Sequence, residues 1–416
     1  MRLTHAALDL MLRGVRIDPL ALQNLDSEVV AAMGERSAIL TAAGVDLTAT
    51  NAAGEPTFFR SKKQISSLFT HLGITPGVHR KTGRDTFDDE TLFKIGKKHP
   101  ALAQVCHGII EYRSLGQMLS TFIRARLEPD GRLRCTFNAS GPETYRLSSS
   151  KNAFGRGANL QNVSTGDRGL TGAKLPNLRR AIVPDEGCVM WEPDLAGADA
   201  RVVAWDSDDG VLKQMFREGV ALHAETAKEV FGASAGPDGR REPYYTLAKK
   251  ARHLWHYAGK ARTMAGSLGI TVAEADRIIA RFAGLNPGVP RWHRRVRDTL
   301  YATRTIRNAF GYRIIYLGRP EELLPDALAW IGQGTIACTI NRAWLNVTHN
   351  VPGATVLLQE HDSLVGQTPE AEWPGVRPRI KEQFDRVVIP FPDPLVVPTE
   401  LKVSRESWGS MAREAW

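Results

Sequence analysis

Thr355-Val356-Leu357-Leu358-Gln359-Glu360-His361-Asp362-Ser363-Leu364-Val365-Gly366 is the stretch on which the fold turns. Two short apolar runs flank a polar knot, the pattern of two short strands joined by a tight turn, with Asp362 in the turn. A second carboxylate stands in a comparable place. Residues 188–194 form a short apolar strand candidate, and Asp194 follows Val189-Met190-Trp191 where that strand stops. A strand end and a hairpin tip are rigid positions that one sheet can bring side by side. Two aspartates so placed suit a pair of Mg²⁺ ions ~3.5–4 Å apart, the arrangement that serves in-line phosphoryl displacement. Pattern alone leaves another possibility open: two surface aspartates in turns, which Asp favours.

Outward from these strands the pattern is helical. Leu8, Met11 and Val15, then Leu20, Leu22, Leu25, Val29, Val30 and Met33, recur at helix-like spacing. After a polar break at 48–55, Ser61-Lys62-Lys63-Gln64 opens a run carrying Ile65, Leu68 and Leu72. A loop at 75–84 precedes helices to about residue 125. Residues 133–138 alternate as a strand, with Leu133, Cys135 and Phe137 on one face. A helix is expected over 195–205, and helical pattern then continues for about a hundred residues, broken at 232–243 and at Asn286-Pro287-Gly288. No internal repeat and no low-complexity tract interrupts this α+β layout.

Bulk properties bound the function without giving it. With 416 residues the chain is too long for one small core, and two or three subdomains are expected. No apolar run approaches the ~20 residues a membrane-spanning helix needs, and the first sixteen residues have no signal-peptide core. The four cysteines, Cys106, Cys135, Cys188 and Cys338, lie far apart with no metal-site spacing, as reduced thiols would. A cytoplasmic location, in a bacterial or phage-infected cell, is the expectation. The excess of 54 Lys+Arg over 45 Asp+Glu suits a phosphate-rich partner, although many basic proteins bind no nucleic acid.

The surrounding blocks decide between the two readings of the aspartates. Thr144-Tyr145-Arg146-Leu147-Ser148-Ser149-Ser150 followed by Asn159-Leu160-Gln161-Asn162 resembles the T-G-R-L-S-S-S…N-L-Q-N signature of family A DNA polymerases. Asp194-Leu195-Ala196-Gly197-Ala198-Asp199-Ala200-Arg201 is similar to that family's motif A, D-x-S-x-x-E-x-R, and Leu222-His223-Ala224-Glu225-Thr226-Ala227 to its I-H-x-x-T-A block. Gln333-Gly334-Thr335 matches Q-G-T, and His361-Asp362 the H-D of motif C. The blocks stand in the family's order, and the likeness runs from Gly14-Val15-Arg16-Ile17-Asp18 to Trp408. Any one block is weak; six in order are not.

The resemblance implies a right-hand polymerase fold: an N-terminal segment and helical thumb at 1–130, palm with motif A at 131–205, helical fingers at 206–310 and palm with motif C, built on an antiparallel sheet, at 311–416. It implies template-directed addition of dNTPs to a primer 3′ end on primer-template DNA, with Asp194 and Asp362 holding two Mg²⁺ ions, for which Mn²⁺ can substitute. Lys249 holds the triphosphate, and His223, His253, Tyr257, Asp199 and Arg201 complete the nucleotide site. Arg146, Asn159, Gln161, Asn162, Gln333, His361 and Arg113 are the expected primer and template contacts. No D-x-E carboxylate cluster for proofreading is visible in this chain, so exonuclease function is expected elsewhere if anywhere, and no processivity partner can be named.

Departures cluster where the nascent base pair would lie. The fingers pattern R-x-x-x-K-x-x-x-[FY]-x-x-x-Y-G is met here by Tyr245, Lys249, His253 and Tyr257, on one helix face because the spacing is four, and then by Ala258. Tyr245 replaces an arginine, and the nearest other charges, Lys250 and Arg252, are rotated off that face by roughly 60–100°. Asp199 is one carbon shorter than the family's Glu, Ser363 stands where a second carboxylate commonly follows motif C, and Pro325 and Ala329 replace an Arg and an Asn. These changes predict relaxed fidelity, relaxed sugar selection or use of unusual nucleotides. They also keep open a catalytically weakened protein that only binds primer-template. Trp292 reads as core between fingers helices, and Tyr312-Arg313 resembles a stretch where fingers return to palm.

Overall fold

Alternating and continuous apolar runs build one central sheet. The computed structural model describes residues 2–52, 54–78, 83, 85–139, 141–390 and 393–416. Strands β1 (Cys188–Leu195), β2 (Thr355–Glu360), β3 (Ser363–Pro369), β4 (Thr399–Ser404) and β5 (Ala412–Glu414) lie in the order β2-β3-β1-β4-β5, every neighbouring pair antiparallel. β1 reads as a nearly unbroken apolar run because it is central: Val189, Met190 and Trp191 are fully buried. The expected hairpin forms with its turn at His361 and Asp362.

Helices surround the sheet. α1 (Arg2–Arg13) and α2 (Pro19–Ala42) open the chain, and α3 (Ala103–Met118) packs along α2. Asp18 caps α2 by accepting from the Leu20 N–H, with Pro19 at the first helical position. Leu25, Val29, Met33 and Leu40 form its buried stripe. Ser61 caps the next helix, Lys62–His71, through the Gln64 N–H. Then follow α4 (Ala198–Asp206), α5 (Leu222–Phe231), α6 (Tyr244–His256), α7 (Val272–Leu285), α8 (Gly288–Thr303) and the long α9 (Pro320–Asn350). α9 lies against α4, α8 and β2 and ties the helical layer to the sheet. Trp292 on α8 is buried, and its indole N–H donates to Asp206 at 2.5 Å.

Three expectations need correction. The helix expected at 195 begins at Ala198, because β1 continues through Leu195 and Gly197, at φ +59, makes the left-handed turn into α4. The strand expected over 133–138 is two strands. Arg132–Leu133 pairs with Val15–Ile17, whereas Thr136–Asn138 pairs with Ser148–Ser150; Leu133, Cys135 and Phe137 are nevertheless all buried. Val15, expected at helical spacing after Leu8 and Met11, lies in a strand instead: Val15–Ile17 joins Arg132–Leu133 and Ile182–Val183, and Arg13 donates to the Val356 carbonyl at 2.7 Å. Of the loop expected at 75–84, residues 79–82 and 84 lie outside the described residues. All four cysteines are free, as expected.

Candidate active site

Register brings the two aspartates together. Ser363 on β3 lies directly opposite Asp194 on β1, and the Leu195 N–H donates to the Asp362 carbonyl at 3.1 Å. His361 turns the hairpin with φ +51, so Asp362 is delivered beside the end of β1. Burial, and then the Asp362 carboxylate, push the Asp194 carboxyl up to about 6, against the pull of Lys402. Burial and repulsion from a neighbouring carboxylate are strains that a divalent cation would relieve. Among the described residues no group of three or more His, Cys, Asp or Glu is gathered for a metal ion. The pair therefore fits a hard cation that takes one or two carboxylates and fills its other positions with phosphate oxygens and water.

Below the pair lies a charged layer that the sequence reading missed. Glu192, two residues before Asp194 on the same sheet face, is buried; its Oε1 accepts from the Ser363 hydroxyl at 3.2 Å and its Oε2 from the Trp408 indole at 3.3 Å. Lys402 on β4 lies directly opposite Glu192, with Nζ 3.8 Å from Glu192 Oε2 and 3.6 Å from Asp194 Oδ2. Arg179 bonds Glu360 and stacks 3.8 Å over the Trp408 ring. Burial pushes Glu360 up to about 7, against that arginine. The signal available was a glutamate at i−2 from each aspartate, in strands otherwise apolar.

The helix α4 that follows Asp194 packs on α6, and α6 packs on α5. Lys249 is exposed, and burial followed by the nearby Lys249 and Arg252 charges holds His223 down at about 4. The His223 Nδ1 is buried without a hydrogen-bond partner. Just past the end of α6, Tyr257 donates its hydroxyl proton to Asp199 Oδ1, and His253, on the last turn of α6, has its Nδ1 3.3 Å from Asp199 Oδ2. Burial raises the Asp199 carboxyl, but these two hydrogen bonds, together with the charges of His253 and His256, hold it below the usual range. Gly332 allows the contact, since a Cβ there would stand 2.5 Å from the Tyr257 hydroxyl. Gln333, next on α9, is half-buried. Arg146 is near enough to Tyr257 and His361 to act on both electrostatically, and its Nε is buried without a partner. Its neighbour Tyr145 is braced by Trp330 and Tyr312, and its carbonyl accepts from Asn341 at 3.0 Å.

Other expected contacts are occupied elsewhere. Arg201 donates to the Ala196 carbonyl at 3.0 Å and stacks 4.5 Å over Phe216, bracing the turn after Asp194. Arg113 donates to the Phe59 and Phe87 carbonyls and to Asp89, within its own helical region. Gln161 is buried and donates to the Gln359 carbonyl at 2.9 Å, pinning β2. Asn159 uses its Oδ1 to accept from the Gln161 N–H and from Ser149, while Asn162 is exposed. Arg252 is no substitute for the missing arginine. It is buried, bonded to Thr226, Asn286 and Glu229, and stacked 4.0 Å over Phe282, leaving the exposed Lys250.

The sequence profile of DNA polymerase family A matches residues 35–410. The chain is 30% identical over 409 residues to the thermostable DNA polymerase I of Thermus filiformis, covering 94% of this chain and 45% of that protein. It is 30% identical over 416 residues to that of Thermus aquaticus, with 95% and 46% covered. It is 26% identical over 351 residues to DNA polymerase I of Helicobacter pylori, with 80% and 36% covered. The chain thus spans about half the length of the Thermus relatives it matches. The POL domain of Pol1 from M. smegmatis, solved in complex with DNA primer-template and dNTP, shares the fold at a TM-score of 0.81 and 22% identity, over 99% of this chain and 70% of that one.

Proposed function

The chain belongs to DNA polymerase family A, and from that premise we propose that it is a template-directed DNA polymerase adding dNTPs to a primer 3′ end. The observation that carries this reading is the delivery of Asp194 and Asp362 to one spot by the β1–β3 register and the Leu195–Asp362 hydrogen bond. These carboxylates would hold two divalent cations, Mg²⁺ in the cell with Mn²⁺ able to replace it, whose chemistry is to activate the primer hydroxyl and neutralise the leaving pyrophosphate. Lys249 and His223 receive the triphosphate; their mutual proximity and the unpartnered His223 Nδ1 support this. Tyr257 stacks beside the templating base, and Arg146, Gln333 and His361 face the primer terminus. Arg113, Gln161 and Arg201 act instead through the scaffold, given their internal bonds. Base choice comes from template pairing, and the positive charge holds phosphates without reading sequence.

In hand terms, the sheet β1–β5 with the Val15–Ile17 strand makes the palm, α2 to α3 the thumb and α5 to α8 the fingers. Primer extension with Mg²⁺ and four dNTPs tests the reading. The parent extends, and Asp194→Asn and Asp362→Asn each lower the rate by at least about a hundredfold. Tight primer-template binding without extension by the parent would make it a binding protein instead.

A second observation favours relaxed sugar selection. Asp199 is one carbon shorter than the family's Glu and is drawn onto Tyr257 and His253, which leaves more room beside the sugar. Asp199→Glu is expected to raise the dNTP-over-rNTP ratio of kcat/KM by about tenfold, one unit of 1.4 kcal/mol. An unchanged ratio would remove Asp199 from sugar selection.

A further inference from the structure

The charged layer beneath the aspartates is unevenly balanced. Glu400, opposite Asp194, is taken by Arg413 at 2.7 Å. Arg179 binds Glu360 and lies 3.9 Å from Glu192. Among the described residues Lys402 is the one cation ion-paired with Asp194, and it approaches from midway between two carboxylates, 3.6 Å from Asp194 Oδ2 and 3.8 Å from Glu192 Oε2. Neither distance is that of a close hydrogen-bonded pair, so the ammonium is committed to neither partner. Glu192 is fixed, since Ser363 and Trp408 both donate to it. Asp194 is fixed only through its backbone pairing, and its side chain is about a third exposed, at 36%. A flexible four-carbon stem lets the Lys402 charge move between them at little cost.

We propose that Lys402 is the internal counter-cation of the carboxylate pair: it holds Asp194 while no divalent cation is bound and withdraws onto Glu192 as one binds. This rests on the reading of Asp194 as a metal ligand. Lys402 is a positioning residue, and Glu192 is the buried anion that receives it. The consequence is a raised threshold for metal binding, because the incoming cation must displace a charge already present. Ser363 belongs to the same device. Where a second carboxylate would add to the pull on the cation, its hydroxyl instead steadies Glu192.

Mn²⁺ alone, titrated into the full chain and followed by electron paramagnetic resonance of the free ion, tests this without catalysis. Lys402→Met is expected to bind Mn²⁺ about tenfold tighter than the parent, the repulsion of two cations on one partly exposed carboxylate. Glu192→Gln is expected to bind several-fold weaker, because Lys402 then turns wholly onto Asp194. In the double variant the Glu192→Gln loss disappears, since no lysine remains to be redirected. A Lys402→Met affinity equal to or below the parent's overturns the proposal, and so does an additive double variant, which would mean simple through-space charge. Should Lys402→Met fail to fold, Glu192→Gln decides alone, an unchanged affinity counting against. Parent-like Mn²⁺ binding by Asp194→Asn would instead remove the metal-ligand reading on which the proposal stands.

Discussion

Besides His361 in the hairpin turn, two further residues of the site region hold left-handed backbone without being glycine. Tyr145, at φ +61, and Ala258, at φ +54, both stand where the family motifs place Gly. For an L-residue this conformation costs roughly 1–2 kcal/mol. At Tyr145 ring packing on Trp330 and Tyr312 offsets the strain. Ala258 has only a methyl group to offer. Ala258→Gly is therefore expected to stabilise the protein by about 1 kcal/mol, after allowance for the extra unfolded-state freedom of glycine; urea unfolding of the two proteins checks it. Two residues earlier, burial and then the Arg252 charge hold His256 down at about 3, and its Nε2 is buried without a partner. The folded state keeps this ring neutral, whereas the unfolded chain protonates it below about pH 6.5. Its stabilising share is complete above that pH and is lost as pH falls toward the folded value. At pH 5 the parent should lose about 2 kcal/mol relative to pH 7.5 that His256→Leu does not, read from denaturant midpoints at both values.

At the level of elements, α6 is anchored from behind as well as exposed in front. Arg252 ties it to α5 through Thr226 and Glu229 and to the end of α7 through Asn286. Arg252→Met leaves Glu229 and Asn286 without their cation and is expected to cost about 3–5 kcal/mol, seen as a lowered Tm. Lys250→Met, on the exposed turn, should leave Tm within about half a kcal/mol equivalent. This contrast marks what the sequence could and could not tell. The helical pattern after the break at 232–243 covers α6, and the four-residue spacing of the fingers motif put Lys249, His253 and Tyr257 on one face. Whether an off-face arginine is buried depends on acceptors 23 to 34 residues away, which periodicity does not reach. The strands divide in the same way. The hairpin at 361–362 is local and was legible. The split of 133–138 was not, because each half is defined by a different partner, Val15–Ile17 or Ser148–Ser150.

Over the whole molecule the limit is the same, with larger separations. The motif order located both aspartates, yet the layer beneath them joins Arg179 to Glu360 across 181 residues and Glu192 to Trp408 across 216. The net charge of +9 pointed to phosphate without saying which cations meet it. Arg113, Arg179, Arg201 and Arg252 are all spent inside the fold. Lys62 and Lys63, on the first turn of the helix Lys62–His71 in the proposed thumb, are exposed, and the proposed function assigns them to duplex phosphates. Each phosphate neutralised contributes about 0.9 to the slope of log K against log salt. Replacing both lysines with Gln should therefore lower that slope by about 2 for primer-template binding. Asp194→Asn, which removes no lysine or arginine, should leave the slope unchanged. The ratio of correct to incorrect nucleotide addition should also survive the lysine changes, because contacts with phosphate position the duplex and do not read its bases. An unchanged slope would move the grip on the duplex away from this helix. A changed slope with altered base selection would mean that the grip helps align the primer terminus.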